Sequence, residues 1–179
     1  VGSRRQRQMC IRDRGKATKF GRKEAETAWK NTEADALYQL VDAGVHVPKP
    51  RGYFHGVLLM DLVTDDAGHS APRLGEVELE PEQARLFHTS LVGDVVKMLC
   101  LGLVHGDLSE YNVLVSPDGP VVIDFPQVVS AAGNNAARDM LLRDVHNLRD
   151  CLGRFAPELL DTYYGEEMWA LFEKGELRP

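Results

Sequence analysis

The sequence predicts an α+β chain in two unequal parts. A helix and a short strand come first, then a turn-rich linker, then a mainly helical half with a β-hairpin inserted in it. Three observations carry this. Trp29, Leu37, Leu40 and Val41 recur at intervals that share one helical face, and so do Ala84, Phe87, Leu91, Val95, Met98 and Leu99. Two short apolar runs, "NVLV" and "VVID", flank S-P-D-G, the pattern of a hairpin. The segment between the parts, "DLVTDDAGHSAPRLG", is polar and rich in turn formers. A chain of 179 residues with 44% hydrophobic and 27% charged residues is long enough for one domain with a real core.

The first helix is expected over Glu24–Ala43, with Glu33 on its apolar face and Gly44 as the stop. "VHVPKPRGYF", with two prolines, reads as extended chain, and "GVLLM" (Gly56 to Met60) as a short buried strand. The second helix opens at Pro81, where a first-turn proline is tolerated, and closes at Gly102. A loop follows over 105–111, then the hairpin, then an amphipathic helix from Asn135 onward and a shorter one over about Pro157 to Glu173. Trp29, Phe87 and Trp169 are expected in packing positions, Cys100 and Cys151 as buried thiols, and Asp65 and Asp66 in a solvated turn. The three cysteines, Cys10, Cys100 and Cys151, form no C-x-x-C and no metal spacing, which fits a reducing cytoplasm. No apolar stretch approaches the roughly 18 residues of a membrane span, and no secretory signal is visible.

The N-terminus looks foreign. "RRQRQMCIRDR" (Arg4 to Arg14) resembles one translated frame of a transposase-type sequencing adapter, so residues 1–14 are expected to be an artefact and the natural N-terminus to be missing. Without their five Arg and one Asp, 16 basic and 26 acidic residues remain, a net charge of −10. That balance argues against a broad phosphate-binding surface and direct nucleic-acid binding. Residues 15–23, "GKATKFGRK", read as a basic loop.

The chemistry concentrates in Asp107, Asn112 and Asp124. Asp107 lies in the loop after a helix, Asn112 starts the first hairpin strand and Asp124 ends the second. A four-residue turn brings the open ends of the hairpin together, so Asn112 and Asp124 are expected to be neighbours, with Asp107 over the same edge. Two carboxylates and an amide oxygen make a hard-oxygen site suited to Mg²⁺, which takes few protein ligands and several phosphate oxygens. Phosphoryl transfer needs this set, together with a carboxylate to orient the attacking group. Any one of the three alone would read as a loop cap or turn residue; the set of D-x-x-x-x-N and a strand Asp does not.

"HGDLSEYN" (His105 to Asn112) and "IDFPQ" (Ile123 to Gln127) resemble the signatures of the RIO family of atypical protein kinases, bacterial RIO-like members above all. "LLRDVHNL" and "YGEEMWALFEKGEL" resemble its C-terminal helices, so the resemblance covers residues 15–179. It implies a protein-kinase-like two-lobed fold with an incomplete N-lobe (15–60), a hinge and linker (61–75), and a mainly helical C-lobe (76–179) carrying the catalytic hairpin. The implied activity is ATP- and Mg²⁺-dependent serine/threonine kinase or ATPase turnover. Asp107 would orient the nucleophile, Asn112 and Asp124 would bind Mg²⁺, and Asp124 could itself accept phosphate as an aspartyl-phosphate. Glu33 would pair with the ATP-anchoring lysine, Met60 would be the gatekeeper, and the Asp61 C=O and Val63 N–H would meet the adenine edge. Asp144 would receive backbone N–H bonds from the catalytic loop, and His105 would pack rather than act as an acid or base. A protein or ribonucleoprotein substrate is implied.

Three departures qualify the resemblance. Pro126 replaces the usual glycine of D-F-G, only about 20 residues separate Asp124 from Asp144, and no Gly-rich loop or strand lysine precedes Glu33. Lys16, Lys19 and Lys23 stand in a polar, non-strand context and are not assigned that role. Truncation accounts for the last departure and implies an active parent with an impaired fragment. Two other readings stay open. A small-molecule phosphotransferase of the aminoglycoside or choline type shares H-G-D-x-x-x-x-N, although S-E-Y, D-F-P-Q and the small C-terminal half speak against it. A non-catalytic nucleotide-sensing scaffold fits if the lysine is truly absent.

Overall fold

The structure, a computed structural model, describes residues 35–54, 57–125, 129–132 and 134–179. Glu33, Lys16, Lys19, Lys23, Trp29 and Pro126 lie outside the described residues.

The first described element, α1 (35–42), buries Ala36, Leu37 and Leu40 on one side. It ends because Gly44 takes φ +72, a left-handed angle that costs glycine nothing. The Gly44 N–H then reaches the Val41 carbonyl and the Val45 N–H reaches the Leu40 carbonyl, both at 3.0 Å. This pair of bonds closes the last turn, and Val45 and Leu40 both bury beside it.

The chain after α1 is tied to helix α2 (Pro81–Cys100) by a buried carboxylate. Asp94 of α2 is fully buried, accepts the His46 N–H at 3.3 Å and meets His46 Nδ1 at 2.8 Å. Its other oxygen meets Lys97 Nζ at 3.1 Å, and Lys97 also donates to the Gly44 carbonyl at 2.7 Å. A carboxylate at that depth is tolerable only because each oxygen has a donor.

Strands β1 (Pro50–Phe54) and β2 (Val57–Met60) form an antiparallel hairpin. Extended chain was expected for the first, and the pairing explains it. The expectation of a buried second strand is corrected: Val57 is 59%, Leu59 53% and Met60 42% exposed. The linker is less free than its composition suggests. Thr64 bridges Ser70, the Asp65 carboxylate caps the N–H groups of Ala67 and His69, and Arg73 bridges Leu114.

Helix α2 presents Ala84, Phe87, Leu91, Val95, Met98 and Leu99 to the core at the expected spacing, and stops at Gly102, φ +73. Strand β3 (Leu103–Val104) pairs with β6 (Val129–Ser130), and β4 (Val113–Ser116) pairs with β5 (Gly119–Val122). Helix α3 (Ala137–Leu152) buries Leu141, Asp144, Val145, Leu148 and Leu152. The segment expected as one last helix is two pieces, a 3-10 turn at Pro157–Asp161 and helix α4 (Tyr164–Glu173). Gly165 lets α4 approach α3, since a Cβ there would stand 3.0 Å from Leu142 Cδ2. Trp169 and Cys151 are buried as expected, but Cys100 is exposed, which corrects its assignment as a buried thiol. Among the described residues no helix is long and apolar enough to cross a membrane.

Candidate functional site

The site is assembled where β3, the β4–β5 hairpin and α3 meet. Val113 pairs with Val122, and the Ile123 N–H donates to the Asn112 carbonyl at 2.9 Å, so the hairpin's open end puts Asn112 opposite Ile123 and next to Asp124. The strand stops at Val122, two residues earlier than expected, and Asp124 turns out of it with φ +63. Among the described residues it is the one non-glycine residue with a positive φ. Aspartate is among the few residues that tolerate this region, at a cost of about 1–2 kcal/mol for most side chains.

Asp124 lines a cavity of about 190 Å³ with Leu37 of α1, Pro48, Leu58 and Met60 of the first hairpin, Ile123 and Phe125. The wall is apolar apart from Asp124. The volume is below the roughly 300–1,000 Å³ of complete small-molecule sites, so it has room for only part of such a ligand. Met60 and Asp124 are therefore brought to one cavity. Asp61 and Val63 follow directly from β2, with the Asp61 N–H on the Lys49 carbonyl at 2.9 Å and the Val63 carbonyl taking the Ala71 N–H at 3.0 Å. The Asp61 carboxylate is occupied by Arg51, at 2.6 and 2.7 Å, and this hydrogen-bonded pairing lowers its pKa.

Asp107 is exposed, while the loop that carries it is buried on both sides. Its carbonyl takes the Asn112 Nδ2 donor at 2.8 Å, which fixes which end of that amide is oxygen and leaves Oδ1 as the acceptor. His105 is 2% exposed and packs against Phe125 with the rings tilted and their centroids 5.1 Å apart. Its Nδ1 accepts the Asp107 N–H at 3.3 Å and its Nε2 faces the Ile123 carbonyl at 3.3 Å, an arrangement that needs the neutral ring protonated on Nε2. Burial lowers its pKa, in keeping with a packing role.

Asp144 of α3 is 1% exposed and accepts the Gly106 N–H at 2.7 Å and the Leu108 N–H at 2.9 Å, as expected of it. Sequence reasoning missed its two helix neighbours. Arg143 donates to the Gly106 carbonyl, and Asn147 to the Leu108 carbonyl at 2.8 Å. Residues 143, 144 and 147 share one helix face, so R-D-x-x-N after the motif was a readable signal.

Burial pushes the Asp144 carboxyl up to about 6, against the two N–H bonds and Arg143, which favour the charged form. The folded pKa exceeds the unfolded value of 3.8, so the native state binds the extra proton between the two. Stability from this group is full below pH 3.8 and is lost as pH rises through about 6. The Gly106 and Leu108 amide resonances should titrate together with a midpoint near 6; a midpoint below 4 would show that the N–H bonds outweigh burial.

Among the described residues no group of three or more His, Cys, Asp or Glu side chains is placed to hold a metal ion. A metal ion held at the hairpin end by Asn112 and Asp124 alone would have to take most of its ligands from elsewhere, as Mg²⁺ takes them from phosphate and water.

Residues 3–164 match a family model described as the RIO domain. The chain is 39% identical over 130 residues to the RIO-type serine/threonine-protein kinase Rio1 of Haloferax volcanii, covering 71% of this chain and 42% of that protein. It is 35% identical over 133 residues to the Methanocaldococcus jannaschii protein of the same name, covering 73% and 43%. It is 33% identical over 141 residues to the serine/threonine-protein kinase RIO3 of Caenorhabditis elegans, covering 75% and 27%. The chain thus spans less than half the length of each.

Proposed function

Because the chain belongs to the RIO domain family, we propose that it is the core of a protein that transfers the γ-phosphoryl group of ATP to a serine or threonine hydroxyl, or to water. The observation that carries this is the convergence of Asn112 and Asp124 at the hairpin end beside an apolar cavity. The named relatives are serine/threonine-protein kinases, which favours a protein substrate over a small molecule.

In this reading Asp107 accepts the hydroxyl proton while the hydroxyl oxygen attacks the γ-phosphorus and ADP leaves. Asn112 Oδ1 and the Asp124 carboxylate would hold Mg²⁺, which when bound would supply charge neutralisation at the phosphates. Asp124 can alternatively take the phosphoryl group itself, giving an aspartyl-phosphate that water then hydrolyses. Met60 gates the adenine cavity, and the Asp61 C=O and Val63 N–H meet the base edge. Glu33, outside the described residues, would pair with a phosphate-anchoring lysine to which no lysine of this sequence is assigned. Residues 15–60, 61–75 and 76–179 then act as N-lobe, hinge and C-lobe. A cytoplasmic location and a protein or ribonucleoprotein substrate belong to the same reading.

The test is calorimetric titration with ATP, with and without Mg²⁺. Asn112→Ala should weaken Mg²⁺-dependent binding roughly tenfold or more, the loss of one charge-assisted ligand, and leave metal-free binding nearly unchanged. Equal losses in both titrations would remove Asn112 from the metal site.

A further inference from the structure

From Gly106 to Leu108, every backbone polar group ends on a side chain. The three N–H groups go to Asp144 Oδ2, His105 Nδ1 and Asp144 Oδ1. The three carbonyls go to Arg143, Asn112 Nδ2 and Asn147 Nδ2. A loop without regular structure has no neighbouring strand to satisfy these groups, so side chains must supply the partners.

The Gly106–Asp107 peptide is the weakest point of this arrangement. Gly106 sits at φ +83 and glycine rotates freely, so this peptide plane has little intrinsic preference for one orientation. One end is held by the long contact to a neutral His105, at 3.3 Å. The other end is held by a guanidinium, a charged donor and so the stronger anchor. Rotation of this plane changes φ at Asp107 and breaks the bonds at both of its ends, which frees the backbone that carries the Asp107 side chain. Arg143 is itself exposed, so it fills no core space.

We infer that Arg143 is a positioning residue for phosphoryl transfer: by gripping the Gly106 carbonyl it locks the Gly106–Asp107 peptide plane and keeps the Asp107 carboxylate aimed at the attacking hydroxyl. The inference rests on the phosphotransfer reading for its catalytic consequence, and on the hydrogen bonds alone for the lock.

The experiment compares the unsubstituted chain with Arg143→Ala and Arg143→Lys by two readouts. One is steady-state MgATP turnover; the other is amide hydrogen exchange at Asp107. In Arg143→Ala, kcat should fall roughly tenfold, as a misaimed catalytic group predicts, with KM for ATP changed by less than about twofold. Asp107 exchange should quicken at unchanged melting temperature, and Arg143→Lys should restore much of both. A kcat within about twofold of the unsubstituted chain and unchanged exchange would overturn the inference. So would a rise in KM that accounts for the whole loss, since Arg143 would then bind nucleotide. An unsubstituted chain that turns over no ATP is what the incomplete N-lobe implies and leaves the phosphotransfer reading to the Asn112→Ala titration; the exchange readout then decides the lock, with faster Asp107 exchange supporting it and unchanged exchange overturning it.

Discussion

Asp124→Asn in a complete protein is expected to lower ATP turnover by at least roughly 100- to 1,000-fold, the scale of losing one preorganised charge at a developing phosphoryl transition state. The substitution would remove the anionic oxygen at the hairpin end and, with it, the proposed metal contact and the proposed phosphoryl acceptor. It should leave the fold intact, because asparagine also tolerates the left-handed backbone that Asp124 adopts at φ +63. Stability should stay within about 0.5 kcal/mol of the unsubstituted chain. Asp124→Leu is the contrasting case: it should lose turnover equally and also cost about 1–2 kcal/mol, because a bulky side chain is strained at that φ. Single-turnover assays and chemical denaturation on both variants separate chemistry from folding. Turnover within tenfold of normal for Asp124→Asn would remove this residue from the reaction.

Asp144→Ala should be the most damaging change outside the reacting groups. It leaves the buried Gly106 and Leu108 N–H groups without an acceptor, at about 1–3 kcal/mol each. Part of that loss is offset, since the raised pKa of Asp144 shows that its charge is costly to bury. A net loss of about 2–4 kcal/mol at neutral pH is therefore expected, together with loss of turnover as the loop under Asp107 slackens. Asp144→Asn, which keeps one accepting oxygen, should lose roughly half as much. The measurement is urea unfolding at constant m-value; a loss no larger than that of an ordinary surface substitution, about 0.5 kcal/mol, would falsify the clamp as a stabilising element.

Much of the site was readable because its logic is local. D-x-x-x-x-N, a four-residue turn and a following Asp fix a hairpin register by chain geometry alone, and the structure places Asn112 and Asp124 at the same open end. The helix periods of α2 and α3 were readable for the same reason. Exposure was harder. The run Gly56 to Met60 is as apolar as a core strand, and no period distinguishes a strand buried on both faces from one whose neighbours lie elsewhere. Cys100 illustrates a finer limit, because one residue's rotation around a helix end separates Met98 and Leu99, both buried, from an exposed thiol. The left-handed turn at Asp124 had no signature in the apolar pattern of the strand that leads into it. Arg143 and Asn147 were legible only once Asp144 had been given a target, because a helix face announces its partners through three-dimensional proximity.

The Asp94 tether has a mechanical consequence. The end of α1 is bonded to α2 through His46, Lys97 and Gly44, and the Val122 N–H also donates to the His46 carbonyl at 2.8 Å. Among the described residues the β1–β2 hairpin has no such bond to α2, and at its base the Asp61 N–H meets the Lys49 carbonyl of the hairpin itself. Compliance is therefore unevenly distributed. If the cavity breathes to admit a ligand, the soft wall is the one bearing Leu58 and Met60, while the wall bearing Leu37 travels with the helical half as part of its chassis.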